Sequence, residues 1–326
     1  MSDRTETWIV PPGDERIRLD QYLVRKIPGE SRSRIQSWIR GGHIRVNGQE
    51  AKTGHLTRID DRITLEAPEP QPLSVFPEAI PLDILYEDAD LAVINKPAGL
   101  VCHTGAGVRS GTLVNALLHR MGPLDAGDPS RPGIVHRLDK FTSGVMLVAK
   151  NRLSHRQLSH QFKSRQVKKE YVACVYGKPS PASGTIDLPL GRDPKDRKKI
   201  STRARRTRTA VTHYSVRESL GPLSLLAVRI ETGRTHQIRV HLAHKGHPVV
   251  GDALYGANRS RNLAPQLQAA VRELQRPFLH SFRLQFQHPR TAEPMAFECP
   301  LPAELEDFRR KLLNYADARR KDADVR

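Results

Sequence analysis

The sequence predicts an α+β fold in which a small domain precedes a large domain with a mixed, mainly antiparallel sheet flanked by helices. Strand-like segments separated by hairpin-length gaps favour antiparallel pairing, and amphipathic helical segments occur between them. The proline-rich stretch APEPQPLSVFP begins a linker at residues 67–81 that divides the 326 residues into the two domains.

The small domain is predicted over residues 15–66. Its apolar residues recur at helical spacing in 16–27 and 31–40, and Gly41-Gly42 ends the second helix. Short strands are expected at 43–46 and 62–65, with a tight turn at Asn47-Gly48.

The large domain is predicted over residues 82–315. Its strand patterns lie at 84–86, 91–94, 145–149, 171–176, 209–216 and 223–231. Its helical patterns lie at 112–120, at 154–165 and after Pro302. Residues 316–326, which end in ARRKDADVR, are expected to form a flexible basic tail.

The chain is strongly basic, with 53 Lys and Arg against 35 Asp and Glu and a formal charge of +18. Such a surplus favours a polyanionic partner, most commonly the phosphate backbone of nucleic acid. An anionic membrane is the rival, but no apolar run is long enough to span one. We therefore expect RNA or DNA as the partner and no membrane.

The cysteines and the N-terminus predict a cytoplasmic protein. Cys102, Cys174 and Cys299 are odd in number and far apart, which argues against a disulfide framework and against a CxxC metal site. The leading MSDRTETWIV is acidic and lacks the apolar core of a signal peptide.

Several common catalytic motifs are missing from the sequence. It has no GxxxxGK[ST] phosphate loop, no strand-borne GxGxxG, no HExxH and no GxSxG. The histidines at 236, 241, 244 and 247 lack a carboxylate pair or cysteine nearby and the spacing of a zinc site. HRLDK differs from the kinase HRD loop, and no DFG follows. We expect neither a metal nor a nucleotide cofactor.

The stretch RPGIVHRLDKFTSGVMLVAK places Asp139 in a glycine-punctuated loop just before a buried strand. With Arg137 and Lys140 adjacent, its carboxylate is expected to stay ionised at neutral pH. Taken alone, an aspartate in such a loop is most often a hydrogen-bonding turn former. The residues by themselves leave both interpretations open.

HRLDKFTSG resembles the HRLDxxTSG signature of the pseudouridine synthases that act on ribosomal and transfer RNA. Three further strings match that family in the same order, and the resemblance extends from Leu82 to about Pro302. They are INKPAGLVCHTG (94–105), VKKEYVACVYG (167–177) and ETGRTHQIRVHLAHKGHPVVGDALYG (231–256).

This resemblance implies a central RNA cleft and a role for each matching residue. Asp139 would be the catalytic carboxylate, Arg234 its ion-pair partner, and Tyr171 a platform beneath the target base. Ile238 would line the base pocket, with Arg137 and Thr142 supporting the site. Each also has a plainer interpretation, such as a core tyrosine or a surface salt bridge.

The implied reaction breaks the C1′–N1 bond of uridine, turns the held uracil and joins C5 to C1′. Charge develops at the sugar as in glycoside hydrolysis, where a carboxylate attacks or stabilises C1′. No redox, phosphoryl or metal step occurs, so no cofactor is expected. The sequence leaves open whether Asp139 acts as nucleophile or base.

Residues 15–66 resemble the S4 RNA-binding module, on the strings RLDQYL, SRSRI and VNG. The module lays a basic helical face on structured RNA, although a solvated face would have the same charge. The resemblance implies RNA contacts by basic residues of the two helices, namely Arg25, Arg32, Arg34 and Arg40.

The segment GRDPKDRKKISTRARRTR has nine basic residues against two aspartates. A flexible solvated loop and a loop that grips phosphate beside the cleft are both consistent with it. In the second interpretation, the RNA contacts include Arg197, Lys198, Arg205 and Arg206.

Together these features predict a monomeric pseudouridine synthase that acts on RNA, with large-subunit (23S) ribosomal RNA as the expected substrate. The alternatives are a transfer RNA pseudouridine synthase, an RNA-binding ribosome-assembly factor without catalysis, and an RNA glycosidase that releases uracil.

Overall fold

The computed structural model describes residues 5–27, 30, 32–67, 75–104, 108–196 and 198–324, with only the backbone described at residues 33 and 320–324. The described residues form a small N-terminal domain and a large domain, each with its own apolar core.

The small domain packs two helices on a four-stranded antiparallel sheet of order β1-β4-β2-β3. Its elements are β1 (Thr5–Ile9), α1 (Leu19–Lys26), α2 (Arg32–Arg40), β2 (Ile44–Val46), β3 (Gln49–Glu50) and β4 (Arg62–Glu66). The sheet of this domain extends before the predicted boundary at residue 15, because β1 pairs along the whole of β4. No residue of β1 is fully buried, so its sequence shows no clear apolar alternation.

The segment that follows the small domain joins the large one earlier than predicted. Of the predicted linker 67–81, residues 68–74 lie outside the described part of the chain. Val75 is buried in the core of the large domain, and the backbone N–H of Glu78 donates to the carbonyl of Asn115 at 3.0 Å. The packed part of the large domain therefore includes residues 75–81.

The large domain is built on a nine-stranded sheet of order β5-β6-β7-β14-β8-β13-β12-β9, with β15 also paired to β14. Its strands are β5 (Asp83–Glu87), β6 (Leu91–Lys96), β7 (Ser143–Ala149), β8 (Lys168–Tyr176), β9 (Ser183–Asp187), β10 (Gly191–Arg192), β11 (Ile200–Ser201), β12 (Val211–Leu220), β13 (Leu223–Ile230), β14 (Leu279–Gln287) and β15 (Pro294–Glu298). The short strands β10 and β11 form a separate hairpin. Among the described strands of the large sheet only β7 and β14 pair in parallel, so the predicted mainly antiparallel α+β class is confirmed.

The described part of the large domain contains five α-helices. They are α3 (Leu113–Met121), α4 (Arg152–Lys163), α5 (Gln237–His244), α6 (Pro265–Leu274) and α7 (Ala303–Asp324). Residues 316–324, which fall in the predicted flexible tail, continue the backbone of α7 to Asp324. No glycine or proline interrupts its sequence, and Leu305, Phe308 and Leu312 bury one face of the helix.

The parallel contact between β7 and β14 determines where the loop before β7 lies. Gly144, in the TSG of the HRLDKFTSG string, has φ +112° and pairs with Ser281 of β14. A Cβ atom at this position would lie 2.2 Å from the Ser281 carbonyl oxygen. Only glycine fits this close approach, so β7 begins tight against β14 and Asp139 precedes that junction.

Candidate active site

A cavity of about 410 Å³ opens at the N-terminal end of β7. Three segments line it, from the loop before β7, from the end of α4 through β8, and from the end of β13 into α5. Its lining residues fall within 135–142, 162–171 and 230–239, together with Leu279. The HRLD, KKEY and GRTHQIR strings therefore converge on one cavity.

Asp139 lies in a short turn whose backbone is fixed by hydrogen bonds to neighbouring segments. Its carbonyl accepts the N–H of Thr142 at 3.0 Å, and the next carbonyl, of Lys140, accepts the N–H of Gly99 at 2.9 Å. The buried ammonium of Lys96 also donates to the Lys140 carbonyl at 3.2 Å. The NKPAG string thus supports the backbone beside Asp139, whose side chain is 17% exposed.

Arg239 is the ion-pair partner of Asp139, with Nη1 3.3 Å from Oδ2. Its Nε and Nη2 donate to the two carboxylate oxygens of Asp252 at 2.7 and 2.9 Å. Asp252 is buried, and its Oδ1 also accepts backbone N–H groups from Leu254 and Tyr255. The guanidinium is therefore fixed by two hydrogen bonds to Asp252, and its Nη1 points toward Asp139.

Burial lowers the pKa of Arg239, but its hydrogen bond and ion pair with Asp252 and the nearby charge of Asp139 outweigh this effect and raise the pKa above its ordinary value. The guanidinium stays charged while largely shielded from water. Such a fixed charge orients the Asp139 carboxylate without depending on pH in the neutral range.

The predicted pair between Arg234 and Asp139 is wrong. Arg234 is exposed at the rim of the cavity, where its Nε donates to the carbonyl of Thr209 at 3.2 Å. It precedes α5, whereas Arg239 lies within the helix on its buried side. The start of α5 decides which of the two arginines in GRTHQIR reaches the carboxylate.

His236 is a second neighbour of Asp139, with its Nε2 4.0 Å from Oδ2. The residue has φ 55° at the start of α5, and its Nδ1 forms a 2.8 Å hydrogen bond with the Tyr255 hydroxyl. Burial lowers the pKa of His236 despite the charge of Asp139. A neutral imidazole beside the ion pair is therefore expected at neutral pH.

The other predicted site residues line the same cavity. Tyr171 and Ile238 are buried and present apolar surface to it, and burial raises the pKa of the Tyr171 hydroxyl, which therefore stays protonated. Thr142 is buried in the turn of Asp139. Arg137 is exposed at the rim, with its Nη1 3.4 Å from Nε2 of His103.

In the small domain, one predicted RNA-contacting arginine is anchored on a buried carboxylate. Arg32 donates to Asp20 through Nε at 3.0 Å and Nη2 at 2.9 Å. Burial opposes ionisation of Asp20, but hydrogen bonds from Arg18, Gln36 and Arg32 lower its pKa to about 2. Arg32 therefore stabilises the domain as well as adding to its charge.

The other three predicted arginines of this domain lie on α1 and α2 toward solvent. Arg25 is 63% exposed, Arg40 is exposed, and Arg34 is half-buried with its guanidinium 5.4 Å from the Trp38 ring. The two helices carry a positively charged surface.

The β10–β11 hairpin places part of the basic segment next to the active site. A second cavity of about 400 Å³ is lined by basic side chains, namely Arg192, Lys198, Arg206, Arg208 and Arg234. The N–H of Ile200 in β11 donates to the Tyr255 hydroxyl at 2.9 Å, which links the hairpin to His236. Arg205 is exposed, and Arg197 lies outside the described residues.

Among the described residues, no group of three or more His, Cys, Asp or Glu side chains could hold a metal ion. The four histidines from 236 to 247 instead form hydrogen bonds with protein groups. All three cysteines are buried. No helix in the described part of the chain is long and apolar enough to cross a membrane.

Sequence reasoning missed four residues that shape the site, namely Lys169, His236, Arg239 and Asp252. Alternation along β8 could have found Lys169, since it lies two residues before Tyr171 on the same strand face. Asp252 stands in GDALYG, within a string that was already matched. Its link to Arg239 spans 13 residues and becomes visible only in three dimensions.

Comparisons with known proteins relate the chain to one enzyme family. Residues 90–244 match the RNA pseudouridylate synthase family and residues 17–63 match the S4 domain. The chain is 46% identical over 292 residues to an uncharacterized RNA pseudouridine synthase of Aquifex aeolicus, covering 88% of this chain and 91% of that protein. It is 42% identical over 300 residues to ribosomal large subunit pseudouridine synthase D of Xanthomonas campestris, covering 91% and 89%.

A solved structure shares the fold over much of the chain. Human RNA pseudouridylate synthase domain containing 4 superposes with a TM-score of 0.56 at 28% identity, covering 71% of this chain and 92% of that one. The sequence matches, the shared fold and the convergence of the three strings on one cavity lead to the same conclusion. The chain belongs to the RNA pseudouridylate synthase family of isomerases and carries an S4 RNA-binding domain at its N-terminal end.

Proposed function

We propose that the chain isomerises specific uridines of large-subunit ribosomal RNA and that Asp139 is the reacting carboxylate. The observation that carries this proposal is the pairing of Asp139 with Arg239 on the wall of a cavity that also contains Tyr171 and Ile238. The cavity thus offers one oriented negative charge beside apolar and aromatic surface, which suits a sugar carbon and a base.

Each of these side chains has a separate role in the proposed reaction. A flipped uridine places its base on the Tyr171 ring, where stacking contributes ~1–3 kcal/mol. Its C1′ faces Asp139, which attacks that carbon or removes a sugar proton as the C1′–N1 bond breaks. Arg239 fixes the carboxylate rotamer through its bonds to Asp252. The apolar walls exclude water that would otherwise release the base.

None of these steps needs a redox group, a metal ion or a phosphoryl donor, so we propose catalysis without a cofactor. The substrate class rests on the Xanthomonas campestris relative, whose name specifies the ribosomal large subunit, and on the S4 domain. We further propose that the protein acts in the cytoplasm and that it is a monomer. Light scattering during size exclusion measures its molar mass and so tests the monomeric state.

The test incubates the protein with unmodified large-subunit ribosomal RNA, and separately with transfer RNA, each carrying tritium at uridine C5. Isomerisation releases C5 tritium to water, and we expect release from the ribosomal RNA. Asp139→Asn should lower that release by at least ~10³-fold, because the carboxylate cannot be replaced by an amide in either role.

Each other outcome has a distinct meaning. Release from transfer RNA alone would overturn the substrate class but not the reaction. Free uracil as the product would indicate a glycosidase, and binding without release or base loss would indicate an assembly factor. An Asp139→Asn variant that works at the wild-type rate would remove Asp139 from the chemistry.

A further inference from the structure

Two buried lysines of the large domain differ in how their ammonium groups are satisfied. Lys96 is fully buried, and its Nζ donates to the carbonyls of Pro97, Leu100 and Lys140 at 2.8, 2.8 and 3.2 Å. An ammonium has three donors, so all of them are used. Lys96 is a structural cation.

Lys169 is 6% exposed, yet among the described residues its Nζ makes a single hydrogen bond, to the carbonyl of Glu231 at 3.4 Å. The Nζ atom also lies 5.9 Å from the ring centroid of Phe162. The Glu231 carboxylate is engaged elsewhere, by Arg165 and His213. Two donors of this buried charge therefore lack an acceptor among the described residues and are available to a ligand in the cavity.

The unused donors belong to the active-site cavity, because Lys169 lines it together with Tyr171. The two residues lie two positions apart on β8, so their side chains leave the same face of the strand. Charges around Lys169 do not neutralise it. Burial lowers its pKa to about 8, Arg165 adds to this effect and Glu231 opposes it, so the ammonium predominates at neutral pH.

Strand register indicates which part of the uridine Lys169 faces. Tyr171 pairs with Ser281 of β14, which pairs in turn with Gly144 at the start of β7. Lys169 pairs with Leu284, farther along β14 in the direction in which β7 runs. Asp139 precedes β7. Measured along the strand direction of β7, Tyr171 therefore lies between Asp139 and Lys169.

We infer that Lys169 donates a hydrogen bond to uracil O4 and stabilises the negative charge of the base while it is detached from the sugar. A base stacked on Tyr171 with its C1′ at Asp139 directs its far edge, which carries O4, toward Lys169. Cytosine has an amino donor at that place, so the same ammonium favours uracil. The inference rests on the proposed function.

The electrons balance in this step. The pair of the C1′–N1 bond leaves with the base, whose negative charge spreads over N1, O2 and O4. The sugar is compensated by a bond from the Asp139 carboxylate or by loss of a sugar proton to it. When C5 joins C1′, the bond between Asp139 and C1′ breaks, or Asp139 returns the sugar proton. The C5 proton of uracil then leaves to water and N1 takes a proton from water, while Lys169 keeps its three protons throughout.

The experiment measures single-turnover rates of wild type, Lys169→Met and Lys169→Arg on a short RNA with uridine, 4-thiouridine or 2-thiouridine at the target. Sulfur accepts hydrogen bonds weakly, so it removes the contact without removing the base. We expect Lys169→Met to be about 10²-fold slower on uridine at unchanged RNA affinity, a loss typical for a donor to developing charge. Lys169→Arg should recover part of that rate.

The decisive measurement is whether the rate losses caused by Lys169→Met and by sulfur in the base are non-additive. Sulfur at position 4 should slow wild type more than it slows Lys169→Met, because that variant has already lost the contact. Equal slowing in both proteins, or non-additivity at position 2 instead, would overturn the assignment to O4. Lys168→Met, on the opposite strand face, is the matched control and should keep the wild-type rate.

Two further readouts separate a structural role from a catalytic one. Removing a buried, poorly paired charge should leave the melting temperature of Lys169→Met unchanged or raised. A lowered melting temperature with restored activity on cooling would overturn the proposal. Failure of wild type itself to release tritium would instead contradict the proposed function, so the two failures are distinguishable.

Discussion

Asp20 in the small domain and Asp139 in the cleft are both carboxylates faced by arginine, yet their surroundings differ. Asp20 is fully buried and accepts hydrogen bonds from Arg18, Arg32 and Gln36. Asp139 is 17% exposed, and its nearest cation, Arg239, lies at 3.3 Å. A saturated carboxylate stabilises a fold, whereas a carboxylate oriented by one partner beside a cavity keeps lone pairs for a substrate.

The arginines differ in the same sense. Around Asp20, two exposed guanidinium groups converge on one buried carboxylate. Around Asp139, one buried guanidinium is shared by two carboxylates and held mainly by Asp252. The small domain thus uses arginine to neutralise aspartate, and the large domain uses a second aspartate to position the arginine.

After Asp139 itself, the largest effect is expected at Arg239. Arg239→Lys keeps the charge but cannot bond Asp252 through a fork and still reach Asp139, so the Asp139 carboxylate loses its fixed orientation. We expect tritium release to fall by about 10²-fold, as for other lost preorganised contacts. Single-turnover assays with saturating enzyme measure this rate.

Arg234→Lys is the matched control for this prediction, five residues away in the same string. Arg234 contacts Thr209 at the rim, so its conservative replacement should change the rate by no more than about 3-fold, within the range of an exposed contact. The opposite ranking of the two variants would restore the pair that the sequence predicted.

A smaller effect, on stability, is expected at Asp20. Its pKa of about 2 lies below the ordinary value of 3.8, so its ionised form stabilises the folded domain above about pH 4, and this is lost as the pH falls toward 2. Asp20→Asn should lower the free energy of unfolding by about 2 kcal/mol at pH 6 and by about half of that at pH 3.

Urea unfolding followed by tryptophan fluorescence isolates this effect in the full chain. Both tryptophans, Trp8 and Trp38, lie in the small domain. A difference between wild type and Asp20→Asn that stays constant from pH 6 to pH 3 would show that ionisation of Asp20 does not stabilise the domain.

The smallest effect is expected at the β10–β11 hairpin. Lys198→Ala combined with Arg206→Ala removes two cations that line the second cavity. If both contact phosphate, the slope of log affinity against log salt should become shallower by about 1.5. Filter binding at several salt concentrations measures this slope.

Arg272→Ala combined with Arg310→Ala removes the same charge from α6 and α7, and none of the side chains described in these two helices lines either cavity. This control should leave the slope close to that of wild type. Equal slopes for both double variants would exclude a phosphate-binding role for Lys198 and Arg206.

The sequence predicted the fold class, most strands of the large domain and the family, because apolar alternation and long contiguous strings are local features. It missed β14 at the centre of the sheet. His280 and Ser281 are buried there and look unsuited to a core, but their partners, Ser143 and the Val145 carbonyl, lie far away in sequence. Long-range satisfaction of polar groups is not visible in a local pattern.

The site residues also divide into those that local sequence patterns reveal and those that depend on long-range contacts. Asp139 and Tyr171 stand in strings whose order along the chain was enough to single them out. The choice between Arg234 and Arg239 depends on where α5 begins and on Asp252, which lies beyond the helix. A lysine next to another lysine resembles surface charge in the sequence, although alternation along β8 buries Lys169 and leaves Lys168 exposed.

The most direct test of the account compares Asp139→Asn with Asp20→Asn on the same tritiated ribosomal RNA, with unfolding of both variants measured in parallel. We predict that Asp139→Asn lowers tritium release by at least ~10³-fold while unfolding like wild type. Asp20→Asn should unfold more easily but stay within about 3-fold of the wild-type rate, because Asp20 bonds Arg18, Arg32 and Gln36 of the small domain and does not line the active-site cavity. Release by Asp139→Asn at a rate near that of wild type would contradict the central claim.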